Sequence, residues 1–343
     1  MRPAYVLLIL FSFLPEYLLA QIETRPIETL IVQDTGQSHI QRFLTPAKDF
    51  NKKRFYASVG TGASLYGAFS IGLWQAWYKD TKLSRFHTFN DWDEWQQVDK
   101  FGHLYTAYNY SRWAYQGARW TGMKRRPAAW ASVGVGMLLQ TTTEVMDGFA
   151  QKWGFSYGDM AFNVLGGSLF LTQELAWKEQ RITMKVSSNP QTFPDLVFHG
   201  VGHPGQISIQ ERTRNLYGKS FAERFIKDYN AQVNWFAFNL HSFAPASRIP
   251  PWLNIAVGYG AGNMVAGHGY EWTDKNGLKY SVDPNVLPRY RQFFLSTDIE
   301  LSKLPIKNRV LRTLIWGIHH IKFPGPALEY NTLGQVKMHW LFW

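Results

Sequence analysis

The chain has 343 residues, a formal net charge of +11 and no cysteine. The missing cysteine excludes disulfides, thiolate metal sites, a cysteine nucleophile and acylation of an N-terminal cysteine. Aromatic residues make up 16% of the chain, including 15 tryptophans, and this composition is typical of a protein at a membrane interface. The positive charge favours membrane lipid or lipopolysaccharide as a partner, and we expect no nucleic-acid partner because the chain has no motif for one.

Residues 1–20 have the layout of a secretory signal peptide, with a charged start, an apolar run from Ala4 to Leu14 and a small residue at Ala20. An uncleaved anchor helix is the alternative. Both interpretations place the protein outside the cytoplasm. We predict that it is exported to the periplasm or the outer membrane of a Gram-negative bacterium. Residues 21–54 then form an N-terminal extension.

Residues 55–185 have the pattern of a helical unit. The segment Ala57–Tyr78 carries no charge, is long enough to span a bilayer and contains several small residues that would let another helix approach closely. A buried helix in a soluble bundle is the alternative for this segment. We predict a four-helix, membrane-associated bundle, with the later helices at about 101–118, 127–149 and 158–178.

Residues 190–343 change to glycine, proline, asparagine and short alternating stretches, which are typical of strands and turns. The predicted class is therefore α+β, with the bundle followed by a small antiparallel β-sheet and one or two helices. A closed membrane barrel is the alternative, but it needs at least about eight strands and only about four to six are visible. The predicted strands are Gln232–His241, Leu253–Tyr259, Gln292–Leu301 and Gln335–Phe342, and the predicted helix is Lys307–His320.

Three short polar motifs lie at the ends of the last three predicted helices. In an up-and-down bundle the start of the second helix, the end of the third and the start of the fourth lie at the same end. Ionisable groups are costly to bury singly, so we predict that the motifs form one polar cluster. The motifs are Asp99-Lys100-x-x-His103, Glu144-x-x-Asp147 and Ser156-x-x-Asp159-x-x-x-Asn163-x-x-Gly166.

Three functions remain open for this cluster. The first is a pocket that binds an anionic lipid or glycan. The second is a metal-dependent envelope enzyme, in which one histidine with several carboxylates would suit Mg, Mn or Ca better than zinc. The third is a scaffold of outer-membrane assembly with envelope protein partners. In this case the polar groups only cap helix ends and pair with each other. The predicted binding residues are Asp99, Lys100, His103, Glu144, Asp147, Asp159 and Asn163, and the catalytic candidates among them are His103, Asp99, Glu144 and Asp147.

Ser156 stands three residues before Asp159, the spacing of a helix cap, so we predict a structural role for it rather than a nucleophilic one. The order and spacing of the three motifs resemble the signature of YfiM-type predicted periplasmic lipoproteins, over about residues 55–180. A broader similarity reaches the VanZ-like membrane proteins. The segments Asp228–Gln232 and Trp252–Gly260 resemble the longer versions found in Bacteroidetes-type bacteria. The resemblance implies an envelope protein and supplies no known reaction.

Overall fold

The computed structural model describes residues 38–79 and 81–343. The predicted signal peptide and most of the N-terminal extension lie outside the described residues. Within them the helices are α1 (His39–Phe43), α2 (Lys52–Leu73), α3 (Val98–Trp120), α4 (Arg125–Gly148), α5 (Tyr157–Ala176), α6 (Ile209–Tyr217), α7 (Phe221–Lys227), α8 (Leu240–Phe243) and α9 (Arg309–Gly317). The strands are β1 (Ile182–Ser188), β2 (Val197–His199), β3 (Gln206–Ser208), β4 (Gln232–Asn239), β5 (Leu253–Gly262), β6 (Glu271–Thr273), β7 (Lys279–Ser281), β8 (Tyr290–Ile299), β9 (Gly325–Asn331) and β10 (Val336–Phe342).

Helices α3, α4 and α5 form one antiparallel layer, and their bounds lie within three residues of the predicted ones. The close approach of α5 to α3 depends on a glycine. A Cβ added at Gly166 of α5 would lie 2.3 Å from the Leu104 carbonyl oxygen of α3. The layer is filled by Leu104, Tyr108 and Phe170, all buried in one apolar core. At its start, α5 is capped by the Ser156 hydroxyl, which accepts a hydrogen bond from the Asp159 amide at 3.0 Å, so the predicted structural role of Ser156 is confirmed.

Helix α2 covers most of the segment predicted to cross the membrane. No helix among the described residues is long and apolar enough for that, so the predicted span is wrong. The glycine, serine and threonine residues that give α2 its small surface also lower its hydropathy, and Lys52, Lys53 and Arg54 occupy its first turn. Only Phe69, Gly72 and Leu73, near its C-terminal end, are buried. A four-helix bundle is therefore not confirmed.

The main sheet has six antiparallel strands in the order β1-β4-β5-β8-β9-β10. Strands β4, β5, β8 and β10 correspond to the four predicted ones, and α9 corresponds to the predicted helix. Strands β1 and β9 were not predicted, and the predicted one or two helices of this region are four, α6 to α9. Two short ribbons, β2–β3 and β6–β7, pack around a separate small core.

The helical layer covers only part of one face of the sheet. At the β1 edge Met184 is buried against α3 and α5, with Phe236 of β4 packed beside it. Met184 and Phe236 are paired partners on neighbouring strands, and the residues paired with them on the remaining strands continue this row across the sheet. On those strands the apolar side chains of the row are exposed. These exposed residues are Val257, Leu295, Leu328 and Met338.

The opposite face of the sheet is buried and mixes aromatic with charged groups. Trp235 and Phe294 pack with their ring centroids 5.5 Å apart. Lys185 Nζ lies 2.6 Å from Asp298 Oδ2, and both side chains are almost completely buried. Because this pairing joins β1 to β8, it ties the edge of the sheet to its middle.

The sheet is fixed against α3 by polar contacts. The Tyr108 hydroxyl donates to the Ile182 carbonyl at 3.2 Å, and the Asn109 amide donates to the Met184 carbonyl at 3.3 Å. Nearer the start of α3, the rings of Phe101 and Tyr259 lie 4.8 Å apart. The start of α3 therefore packs directly against the sheet.

Candidate functional site at the acidic end of the helical layer

The three predicted motifs meet at one end of the α3–α5 layer, as the up-and-down topology requires. Asp99 and His103 lie in the first turns of α3, Glu144 in the last turns of α4, and Asp159 in the first turn of α5. We call this group, with Lys100, Asp91 and Asn163, the acidic cluster. The predicted convergence of the three motifs is confirmed.

Lys100 is the centre of the acidic cluster. Its side chain is 0% exposed, and its Nζ lies 2.6 Å from Asp159 Oδ1, 2.7 Å from Asp91 Oδ2 and 3.4 Å from Asp99 Oδ2. Burial disfavours the ammonium, but the surrounding carboxylates outweigh burial and raise the pKa of Lys100. Lys100 is therefore a charged group that holds together the carboxylates of one loop and two helices.

His103 reaches three carboxylates. Its Nε2 lies 3.8 Å from Asp159 Oδ2 and 4.0 Å from Asp99 Oδ1, and its Nδ1 lies 3.5 Å from Glu144 Oε1. Burial lowers the pKa of the imidazole, but Asp159, Asp99 and Glu144 outweigh burial and raise the pKa to about 9. The side chain is 17% exposed, so it can still meet a ligand.

Two carboxyl groups of the cluster have raised pKa values. Burial and Asp99 raise the pKa of Asp159 to about 8, against the lowering effects of His103 and Lys100. Burial raises the pKa of Glu144 to about 6. Glu144 is 1% exposed; its Oε2 accepts from the Ser156 amide, whereas its Oε1 has no hydrogen-bond partner among the described residues. Groups with such shifted pKa values are frequent at binding and catalytic sites.

Asp147 lies beside the acidic cluster and has a partner of its own. Its Oδ1 accepts a hydrogen bond from the Tyr78 hydroxyl at 2.7 Å. Burial raises the pKa of Asp147 to about 7, against the lowering effect of this hydrogen bond. Asn163 is closer to the centre, since its Oδ1 lies 3.1 Å from His103 Nδ1 and accepts from the Gln140 amide at 2.7 Å.

Three residues of the site were missed by the motifs. Asp91 lies in a loop before α3, and Tyr229, whose hydroxyl donates to Asp99 Oδ1 at 2.7 Å, comes from the loop before β4. No local pattern marks Asp91, and Tyr229 lies in the segment Asp228–Gln232, whose resemblance to longer relatives assigned it no role at this site. Gln140 is different, because it stands four residues before Glu144 on α4 and so shares its face.

A cavity of about 440 Å³ opens beside the acidic cluster. Asp99, His103 and Gln140 form its polar end, and most of the remaining wall is aromatic or aliphatic. The apolar wall comes from α2, α3, α7, β1 and the segment after α9, and includes Phe69, Leu73, Tyr110, Trp113, Phe221, Phe225, Ile226, Val186 and Ile321. The site is therefore a largely apolar cavity with ionisable side chains at one end.

Three residues of the cluster could hold a metal ion. One ligand atom each from Asp99, His103 and Asp159 lies within 4.8 Å of the other two, and no other group of this kind occurs among residues 38–79 and 81–343. One imidazole with carboxylates suits a hard cation such as Mg²⁺, Mn²⁺ or Ca²⁺. The contact of Lys100 with Asp159 counts against this role, because the ammonium already neutralises one ligand.

Residues 89–173 match the model of the family described as predicted periplasmic lipoprotein (DUF2279). The matched segment contains α3, α4, most of α5 and the loop with Asp91, and so contains the whole acidic cluster. It confirms the resemblance to predicted periplasmic lipoproteins and agrees with the predicted export to the periplasm or outer membrane. A similarity to VanZ-like proteins is not shown. No curated protein and no solved structure matches the chain.

Proposed function

We propose that this cell-envelope protein binds an amphipathic envelope molecule, an anionic lipid or a lipid-linked glycan, in the cavity beside the acidic cluster. One observation carries the proposal: an apolar chamber of about 440 Å³ ends at Asp99 and His103. Ligand sites of proteins are typically concave and largely apolar, with a few convergent polar groups. The apolar part of the ligand would lie against the aromatic wall, with its head group at His103.

The charge of the cluster restricts the head group. Asp91, Asp99, Glu144 and Asp159 outnumber the cations Lys100 and His103, and Lys100 is already paired. An anionic head would be repelled here unless a cation lay between them. We therefore propose that a phosphate or carboxylate head binds through a divalent cation held by Asp99, His103 and Asp159, in which Asp159 would keep Lys100 on Oδ1 and offer Oδ2 to the cation.

Membrane lipid as a partner is further supported by the sheet face that the helical layer covers only in part. Its exposed row of Val257, Leu295, Leu328 and Met338 lies in register across four strands. Contiguous exposed apolar surface marks sites of contact with membranes or other proteins. The proposal is that this face meets lipid while the cavity takes a lipid molecule.

Filling the cavity tests this function. Gly102 lines the cavity, and a Cβ added there meets nothing within 4 Å, so Gly102→Leu should fold and occupy the chamber. Gly134→Leu is the matched control, because Gly134 is equally open on α4 and does not line the cavity. We expect mass spectrometry of detergent-extracted protein to find lipid on the wild type and on Gly134→Leu, and none on Gly102→Leu.

The outcomes separate the alternatives. The same lipid on Gly102→Leu as on the wild type would mean that the ligand binds elsewhere. A wild type without any ligand would favour the scaffold function, in which the residues of the acidic cluster only pair with each other and cap helix ends.

A metal-dependent enzyme is the second candidate, favoured by the close approach of Asp99, His103 and Asp159. His103, with a pKa raised to about 9, would act as a proton donor when no metal is bound and as a ligand when one is. Metal analysis of protein prepared without chelator tests it. Bound Mg, Mn or Ca that is lost in His103→Ala would support this function, and equal metal in both would exclude the cluster as the site.

A further inference from the structure

The exposed side of α2, α4 and α5 has no charged side chain over most of its length. The three helices lie side by side, because the Tyr66 hydroxyl of α2 lies 2.9 Å from the Thr142 hydroxyl of α4, and a Cβ added at Gly167 of α5 would lie 3.2 Å from Val133 of α4. The parts of these helices that contain no Asp, Glu, Lys, Arg or His are 57–73, 127–143 and 160–173. We call the exposed side of these parts the uncharged helical face.

Large apolar side chains are exposed on the uncharged helical face. Trp130 and Leu138 of α4 are each more than half exposed, and so are Val164 and Leu165 of α5. Single exposed apolar residues are common on protein surfaces, whereas a contiguous apolar surface marks contact with a membrane or with another protein. A partner must therefore be sought for this face.

Cations border the uncharged helical face at the end opposite the acidic cluster, which we call the basic end. The Asn51 amide donates to the Thr121 carbonyl at 2.8 Å, and so joins the start of α2 to the turn between α3 and α4. The first turn of α2 and the start of α4 therefore meet at this end. Their exposed cationic side chains are Lys52, Lys53, Lys124 and Arg126.

Neighbouring carboxylates do not neutralise these four cations. None of the four has an ion pair among residues 38–79 and 81–343. Asp49 is the sole carboxyl side chain of the segments 44–56 and 119–131. Glu174, near the end of α5, is already paired with Arg125 at 2.9 Å. The border of the face therefore keeps a net positive charge.

This combination of features distinguishes between the possible partners. Helices with an apolar side bordered by Lys and Arg are typical of proteins that lie on a membrane, where the cations meet anionic head groups. A second copy of this chain would present the same uncharged face and so would offer the four cations no carboxylate. The charge of the border therefore favours an anionic membrane over a dimer.

We propose that the uncharged helical face docks on an anionic lipid bilayer, with Lys52, Lys53, Lys124 and Arg126 at the level of the lipid phosphates. The helices α2, α4 and α5 lie on the bilayer, and Trp130, Leu138, Val164 and Leu165 contact its apolar part. This contact is separate from the sheet face proposed above to meet lipid, and it needs no ligand in the cavity.

Flotation of the full chain, diluted out of detergent, with phosphatidylcholine vesicles tests the proposal. We expect vesicles that also contain phosphatidylglycerol to bind the wild type about tenfold more tightly or better, and added salt to weaken this binding. Lys53→Gln combined with Arg126→Gln should weaken it about tenfold. The matched control is Lys219→Gln combined with Lys275→Gln, which removes the same charge from two exposed sites elsewhere and should leave binding nearly unchanged.

A second pair of variants tests the apolar part of the contact. Leu138→Glu places a carboxylate on the uncharged helical face and should weaken binding about fivefold or more, because the charge would have to leave water. Val286→Glu is its control, since Val286 is equally exposed but lies between β7 and β8. Both positions are on the surface, so both variants should fold, and circular dichroism checks this.

Several results would overturn the proposal. One is a wild type that does not bind anionic vesicles, and another is equal binding by Leu138→Glu and Val286→Glu. Loss of binding in Leu295→Glu but not in Leu138→Glu would make the sheet face the membrane contact instead. A wild type that sediments as a dimer, and becomes a monomer in Leu138→Glu, would assign the face to a second copy of the chain. Gly102→Leu should bind vesicles like the wild type, which distinguishes failure here from failure of the cavity.

Discussion

The two ends of the α3–α5 layer carry opposite charge. Asp99 and Arg112 both lie on α3, at a distance of about 20 Å along the helix axis. At the acidic end a buried lysine is surrounded by carboxylates, whereas at the basic end buried Arg112 lies near Arg125 and Lys303, each of which pairs with a carboxylate. Lys100 is balanced by carboxylates in direct contact with its ammonium group, whereas Nη1 of Arg112 has no hydrogen-bond partner among the described residues. The acidic end is therefore organised around its own ion pairs.

Lys100→Met should have the largest effect on stability. It leaves Asp91 and Asp159 without the ammonium that neutralises them, and breaking a buried ion pair typically costs about 3–5 kcal/mol. Urea unfolding would measure the loss. Lys275→Gln, which removes an exposed lysine, is the control and should change little. A small loss in Lys100→Met would mean that the acidic end is not held together by its lysine.

Gly166→Leu should also destabilise, because its Cβ would meet the Leu104 carbonyl oxygen at 2.3 Å and force α5 away from α3. Overpacking of this kind costs about 1–3 kcal/mol. The matched control is Gly134→Leu, which has open space and should gain a few tenths to about 1 kcal/mol of helix stability. Equal stability of the two variants, measured by thermal unfolding, would contradict the close approach that brings Asp159 to His103.

Asp147→Asn should change how stability depends on pH. Burial raises the pKa of Asp147 from 3.8 to about 7, so between these values the folded chain holds a proton that the unfolded chain releases. The free energy of unfolding should then fall as the pH rises through this window, by at most about 1.4 kcal/mol per pH unit. Asp147→Asn should flatten that fall, whereas the exposed Asp195→Asn should leave it as in the wild type. Parallel pH profiles for all three proteins would contradict the shift.

Arg125→Gln should have the smallest effect. Its side chain is 37% exposed, and ion pairs of this kind contribute about 0–1 kcal/mol, although its partner Glu174 is buried. Chemical denaturation of this variant beside Lys100→Met compares the removal of one cation at each end. A loss at Arg125 as large as at Lys100 would remove the distinction between the two ends.

The sequence predicted the acidic cluster because the information is local. Spacings of three and four place Asp99 with His103 and Glu144 with Asp147 on shared helix faces, and short loops make the three helices antiparallel. The same reasoning overestimated the hydropathy of α2. An uncharged segment is not apolar enough to cross a membrane when glycine, serine and threonine interrupt it. The contacts of Asp91 with Lys100 and of Tyr229 with Asp99 were not predictable, since only the folded chain brings these residues together.

The sheet shows where sequence pattern ends and tertiary structure begins. The alternation along β8 determined that Leu295 and Thr297 share one face and Ser296 and Asp298 the other. It did not determine which face is buried. In the structure Asp298 is inside with Lys185, and Leu295 is exposed. Alternation fixes the relation between neighbours on one strand, whereas burial depends on what covers the sheet, and the partner of Asp298 lies 113 positions away in the chain.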